Sequence, residues 1–217
     1  MRKPSWYIMA AGLFLAILIS NLSSFISDGQ KLDELRGSVL RLHILANSDS
    51  DRDQCLKLKV RDKLLGSDLF GGAADLSEAE ETAAKKLRQI EHIAENVLLE
   101  SGCRYRVSAE LTDADFDERV YGDITMPSGK YRALRIKIGK GEGHNWWCVM
   151  YPPLCLPAAC EIGGEQPSVQ ADVAEDKAAE EEHFDDKELD MLRKPQKYKV
   201  RFAIWDKIKS VFSDDVV

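Results

Sequence analysis

The stretch SVLRLHILANSDSDRDQCLKLKVRDKLL, residues 38–65, decides the fold because it runs from a strand pattern directly into a helix pattern. Its first part alternates aliphatic with polar residues, in the order Leu40, Arg41, Leu42, His43 and Ile44. A period of two puts the two sets on opposite faces of an extended chain. The sequence therefore predicts a strand over residues 38–46 with one apolar and one polar face.

A helix over about residues 49–65 is predicted directly after this strand. Asp49, Asp51 and Asp53 stand where the positive end of a helix dipole favours negative charge. Apolar residues then recur every four positions, at Leu56, Val60 and Leu64. This spacing predicts an apolar stripe that packs on the sheet.

The remaining periodic segments complete the pattern. A second helix is predicted from a capping box of Ser77 and Glu80 to about Glu100. Apolar periodicity predicts further strands over residues 104–112, 131–138 and 146–151. The expected fold is α+β, with a mixed or antiparallel sheet and two helices packed on one face.

The N-terminal region has a different composition from the rest. Arg2 and Lys3 precede residues 5–26, which contain no charged side chain. About 20 apolar residues can span a bilayer as a helix, and basic residues on the N-terminal flank keep that end in the cytoplasm. Residues 1–27 are therefore predicted to be a signal peptide or an uncleaved signal anchor, and everything after them to be exported.

Composition divides the exported part into three. Residues 28–162 are predicted to form a globular α+β domain, and residues 163–196 an acidic, disordered linker. Residues 197–213 are predicted to be a short strand leading into a helix that packs on the domain. The net charge of −7 argues against a nucleic-acid partner, because phosphate binding requires clustered basic residues.

No residue pattern requires a metal or another cofactor. The aspartates from Asp49 onward resemble the start of a calcium loop, but Gln54 stands where Gly is needed and Val60 where Glu is needed. Cys148 with His144 is an alternative of another class, a thiol nucleophile and its base in an exported cell-wall hydrolase. A disulfide between Cys148 and Cys155 competes with that interpretation.

Two long motifs carry a family resemblance. LRLHILANSDSDRDQCLKLKVRDKLL at residues 40–65 and YGDITMPSGKYRALRIKIGKGEGHNWWCVMYPPLC at residues 121–155 closely resemble stage II sporulation protein R of endospore-forming bacteria. The ending YKVRFAIWDKIKSVF also looks like that family's. The resemblance covers roughly residues 30–160 and 198–212.

The resemblance implies a signalling role and no enzymatic activity. Such a protein is made in the forespore, exported into the space between the forespore and mother-cell membranes, and activates a membrane-embedded aspartic protease of the mother cell. That protease then shortens the precursor of sigma-E. A purely structural envelope protein, anchored in the membrane by residues 5–26, is a further alternative.

Two surfaces are candidates for binding the protease. The first is the polar face of the N-terminal motif, with Arg41, His43, Asn47, Asp49, Asp53 and Lys57. The second is the loop with Gly143, Asn145, Trp146 and Trp147. Tryptophans beside a glycine loop suit an interface anchor, but a core position explains them equally well.

Overall fold

The computed structural model describes residues 6–67, 69, 73–121, 123–152 and 183–213. These residues form five helices and six strands. The helices are α1 (Trp6–Gly37), α2 (Asp51–Leu65), α3 (Leu76–Glu100), α4 (Asp186–Arg193) and α5 (Pro195–Ser213). The strands are β1 (Leu40–Leu45), β2 (Val107–Phe116), β3 (Arg119–Tyr121), β4 (Ile124–Met126), β5 (Gly129–Ile138) and β6 (Asn145–Tyr151).

Four strands form one mixed sheet in the order β2, β5, β1, β6. β1 is parallel to β5 and antiparallel to β6, while β2 is antiparallel to β5. In the centre of this sheet, His43 lies between Arg135 and Trp147. β3 and β4 form a separate antiparallel hairpin. The predicted α+β class with a mixed sheet is confirmed.

One face of the sheet is covered by α2 and α3. Leu42 and Ile44 of β1 pack in one apolar cluster with Val60 of α2 and with Ile90 and Ala94 of α3. Burial of these aliphatic side chains is the main stabilising contribution on this side. Two helices on one face is the arrangement that the stripe spacing predicted.

The opposite face of the sheet is also covered. The last turns of α1 contribute Leu32 and Leu35, α4 contributes Leu192, and α5 contributes Phe202 to a second apolar cluster. The prediction of a solvent-exposed polar face on β1 is therefore wrong for Arg41 and His43. Both side chains are buried because helices from the two ends of the described chain cover that face.

The described part of the predicted acidic linker is folded. Residues 186–193 form α4, whose N-terminus is capped by Asp185, and Glu188 is buried beside Lys31 at 3.3 Å. The carboxylates here cap and pair, so they do not signify a solvated chain. Residues 163–182 of that predicted linker lie outside the described residues.

Three smaller predictions differ from the structure. α3 is capped by Asp75, whose carboxylate accepts a hydrogen bond from the Glu78 amide at 2.8 Å, rather than by Ser77. The turn-rich segment before β5 contains the β3–β4 hairpin. The strand expected near Val200 is part of the continuous helix α5.

α1 is long and apolar enough to cross a membrane, by length and composition. Its most apolar window is not covered by the rest of the protein, whereas Asp28, Leu32 and Leu35 near its C-terminal end are buried. An apolar N-terminal helix of this kind indicates a membrane-associated or exported protein.

Candidate functional site

Two loops interlock at one end of the sheet, and we call residues 46–50 and 139–145 together the loop junction. The Gly143 amide donates to the Ala46 carbonyl at 3.0 Å, and the Lys140 amide donates to Asn47 Oδ1 at 3.0 Å. The Glu142 amide donates to the Asn47 carbonyl at 3.3 Å. The loop portions of the two predicted surfaces are therefore parts of one site.

Glycine is required where the loops touch. A side chain at Gly143 would overlap the Ser48 carbonyl group. Gly139 has a φ of +58°, and a side chain there would overlap the Asn47 amide. The glycine-rich composition of this connection thus reflects close approach and backbone conformation.

Asp49 and His144 lie at the exposed centre of the loop junction, with their side chains in ion-pair geometry. Asp49 Oδ1 accepts a hydrogen bond from the His144 amide at 2.5 Å and lies 2.5 Å from His144 Nδ1. The two side chains are 55% and 79% exposed, so they are available to a partner. The backbone hydrogen bond and the contact at Nδ1 together hold His144 beside Asp49.

A buried lysine supports the loop junction from below. Lys57 Nζ donates to Gln54 Oε1 at 2.6 Å and to the His144 carbonyl at 2.9 Å. Burial and, to a smaller extent, the nearby Arg61 cation lower the pKa of Lys57 to about 8, although Asp49 opposes the shift. The lysine ties α2 to the 139–145 loop.

Asp53 is the other buried charge of α2 at this site. Burial alone would raise its pKa, but hydrogen bonds from Asn47 Nδ2 at 2.7 Å and Ser48 Oγ at 2.6 Å hold the pKa below its ordinary value. The buried carboxylate therefore holds the loop of residues 46–50 in place through these hydrogen bonds and does not face a partner.

His43 connects the loop junction to the second core. Its Nε2 lies 3.0 Å from Asn145 Oδ1, and since a carbonyl oxygen only accepts, Nε2 carries the proton. The ring contacts Phe116 and Trp147 edge-on. Burial lowers the pKa of His43, and the neighbouring Arg135 and Arg41 cations act in the same direction.

Arg41 is fully buried among aromatic rings. Its Cζ lies 4.1 Å from the Phe116 ring centroid and 4.9 Å from that of Tyr131. Its Nη2 donates to the Tyr121 hydroxyl at 2.7 Å. Cation–π contacts in a desolvated site stabilise the guanidinium, so this residue belongs to the core.

Both tryptophans of the WW pair are half-buried and packed on opposite sides of β6. Arg61 Cζ lies 4.1 Å from the Trp146 ring centroid, and Arg119 Cζ lies 4.5 Å from that of Trp147. The core alternative accounts for most of their surface. A partner could reach only the remaining edges, and the anchor role stays a prediction.

The predicted set of ten residues is thus sorted by exposure. Asp49 and Asn145 are exposed, and four residues are half-buried: Asn47, Gly143, Trp146 and Trp147. The buried members are Arg41, His43, Asp53 and Lys57. The sequence assigns His144 only to the hydrolase alternative, although its position between Gly143 and Asn145 indicates that it belongs to this surface.

The alternative thiol nucleophile is not supported by the geometry. Cys148 is buried in the α2–α3 core and is disulfide-bonded. Cys155, its predicted partner, lies outside the described residues. Within the described ranges, no cluster of three potential metal-ligating side chains is present.

These features define a class: an α+β domain behind an apolar N-terminal helix, with a rigid polar loop surface at one end of its sheet. Comparison with known proteins gives the family. The chain belongs to the stage II sporulation protein R family, whose sequence model matches residues 36–161. The matched region runs through all six strands, α2, α3 and the loop junction, and membership supports a role in sporulation.

A characterised relative gives the same assignment. Stage II sporulation protein R of Bacillus subtilis (strain 168) is 38% identical over 120 residues, which cover 54% of this chain and 53% of the relative. The match therefore spans about half the length of that relative. No solved structure matches the chain.

Proposed function

We propose that this protein is an exported sporulation signal that activates a membrane-embedded aspartic protease of the mother cell. The protease then processes the sigma-E precursor, so that the signal crosses the septum between forespore and mother cell. Family membership is the observation that carries the proposal. The site in this protein is a surface for binding and not a reaction centre.

The N-terminal helix supports the exported location. Arg2 and Lys3 precede the apolar part of α1, and a basic N-terminal flank keeps that end in the cytoplasm. The domain after Asp28 then lies on the far side of the forespore membrane, in the intermembrane space. There it can reach an exposed portion of a protease in the opposing membrane.

The loop junction supplies the contact surface. Asp49, His144 and Asn145 present a carboxylate, an imidazole and an amide to solvent on backbone that is fixed by glycine contacts and by Lys57. A preordered polar surface loses little conformational entropy on binding. Because a ligand shifts an equilibrium only through its preference for one state, this surface must bind the active, dimeric arrangement of the protease more tightly than the inactive one.

Reconstitution outside sporulation tests the proposal. The protease and the sigma-E precursor are produced in vegetative cells, with or without the full-length chain, and precursor length is followed by immunoblot. Shortening that requires all three proteins is the expected result. Shortening without the chain, or none with it, contradicts the proposed activation.

A Cys148→Ser copy in the same cells separates signalling from thiol chemistry. When this copy is present at the same protein level as the wild type, it is expected to promote processing equally well, because the Cys148 sulfur takes part in no reaction in the proposed function. Because the change also removes the disulfide of Cys148, loss of processing would favour the hydrolase alternative only for a copy that accumulates normally and keeps the wild-type melting temperature.

A further inference from the structure

Among the described residues, β2 is an edge strand of the sheet and pairs only with β5. The Gly139 amide donates to the Arg106 carbonyl at 2.8 Å, which sets the phase of the ladder. In an antiparallel pair, alternate residues direct both backbone polar groups to the same side. The N–H and C=O groups of every second residue from Val107 to Asp115 therefore point away from β5.

Two glutamates of α3 cap the first part of this edge. Glu95 Oε1 accepts from the Val107 amide at 3.2 Å, and Glu91 Oε1 accepts from the Ala109 amide at 3.0 Å. Four residues of a helix and two residues of a strand both advance the chain by about 6 to 7 Å. Acceptors four residues apart on α3 can therefore reach amides two residues apart on β2. Free edge amides are a site of unwanted strand pairing, and these carboxylates block it.

The capping stops at the next position. One turn before Glu91, α3 carries Leu87, whose side chain has no hydrogen-bond acceptor. The outward-facing series continues with Leu111, Asp113 and Asp115. In the described part of the chain, none of their backbone amides donates a hydrogen bond to a protein acceptor. The only other contact of their backbone there is a 3.5 Å approach of Thr112 Oγ1 to the Asp113 carbonyl.

The open segment therefore offers three N–H and three C=O groups in strand geometry. The Asp113 and Asp115 side chains beside it are exposed, whereas Leu111 is half-buried against the apolar cluster that the sheet forms with α2 and α3. This is the arrangement that accepts an added strand, with main-chain hydrogen bonds supplying affinity and side chains supplying selectivity.

The charges beside this edge specify the occupant. Residues 110–118 contain five carboxylates and no basic side chain. Glu110 is paired with Arg135 at 2.7 Å, and Asp113 lies 3.5 Å from Arg132. Asp115 and Asp117 have no ion-pair partner in the described ranges. An extended segment with Lys or Arg opposite these carboxylates is complementary, and an acidic segment is not.

We propose that residues 111–115 of β2 accept an extended, basic segment of the membrane-embedded protease as an added strand. The inference rests on the proposed function and extends it, because it assigns a second contact, separate from the loop junction. The capped half of β2 limits the added strand to the 111–115 segment.

A proline substitution tests the edge directly. Asp113→Pro removes an outward amide and leaves the hydrogen bonds to β5, since proline is tolerated where a strand N–H faces away from its neighbour. Asp113→Ala is the matched control, because it removes the carboxylate and keeps the amide. In the three-component cells, Asp113→Pro is expected to lower precursor processing about tenfold relative to Asp113→Ala, the effect of losing one to two hydrogen bonds.

Equal processing by the two variants, at equal protein level, overturns the strand addition while leaving the proposed function intact. Failure of the wild-type chain to promote processing overturns both. If Asp113→Pro does not accumulate, amide hydrogen exchange of the wild-type full-length chain decides. The amides of Leu111, Asp113 and Asp115 are expected to exchange at least about tenfold more slowly in membranes that contain the protease than in membranes without it. Unchanged exchange, or equal protection without the protease from pairing between copies of this chain, overturns the inference.

Discussion

Lys57 illustrates, at the scale of single residues, how the loop junction is held. Its ammonium group is buried between α2 and the second loop and donates to the His144 carbonyl. The surface residues Asp49 and His144 are positioned by this buried support. A change in the lysine therefore affects the surface indirectly, through loop position.

The charge of Lys57 predicts a pH dependence of stability. Its pKa is about 8 in the folded protein and near the ordinary 10.5 when unfolded. Between these values the unfolded chain binds more protons, so the free energy of unfolding rises with pH from about 8 to about 10.5. Denaturant unfolding of the full-length chain in detergent should show this rise, and Lys57→Met should lack it. An identical slope in both proteins would show that Lys57 is not the titrating group.

His144 predicts a different outcome, because its side chain is exposed. His144→Ala should reduce precursor processing about tenfold while changing the free energy of unfolding by less than about 0.5 kcal/mol. His92→Ala is the control, since His92 is an exposed histidine on α3 and belongs to neither loop of the loop junction. Equal processing by the two variants would remove His144 from the contact surface.

At the scale of secondary-structure elements, α1 packs closely against α5. Trp205 lies directly over Gly29, and its Nε1 donates to Asp33 Oδ2 at 3.0 Å. Asp28 pairs with Lys187 at 2.9 Å and with Arg201. The final turns of α1 are therefore part of the domain, although its earlier turns are not covered.

Gly29→Ala should weaken the packing of α5 on α1, because the new methyl group would overlap the Trp205 ring. Overpacking of this kind costs about 1 to 3 kcal/mol, and limited trypsin digestion should cut α5 faster at Lys197 and Arg201. Gly37→Ala is the control on the same helix, where no atom lies within 4 Å of the new methyl group. Equal cleavage rates would contradict the packing.

Sequence periodicity predicted β1, α2 and the sheet because each has one continuous apolar face. It predicted the later part of α5 as a helix but its start as a strand, since Tyr198 and Phe202 are buried on one side while Val200 and Ile204 are exposed on another. A helix that is apolar on two sides has no simple period. The buried state of Arg41 was also out of reach, because it depends on aromatic side chains from β2, β3 and β5 that are distant in sequence.

At the scale of the whole molecule, a membrane-competent helix continues into a domain whose sheet is covered on both faces. Burial in α1 begins at Asp28, after the apolar segment. A chain that starts at Asp28 behind a cleavable signal should therefore keep its melting temperature within about 2 °C, as measured by circular dichroism. A large drop would mean that the apolar segment stabilises the domain. Full signalling by this truncated chain would exclude the structural-anchor alternative.

The proposed function requires that this protein trigger proteolysis in the neighbouring cell. Deletion of its gene in the source organism, followed by an immunoblot of the sigma-E precursor during sporulation, tests it most directly. The precursor should persist in the deletion strain and be shortened again when the wild-type gene is restored. Normal shortening in the deletion strain would contradict the proposed function.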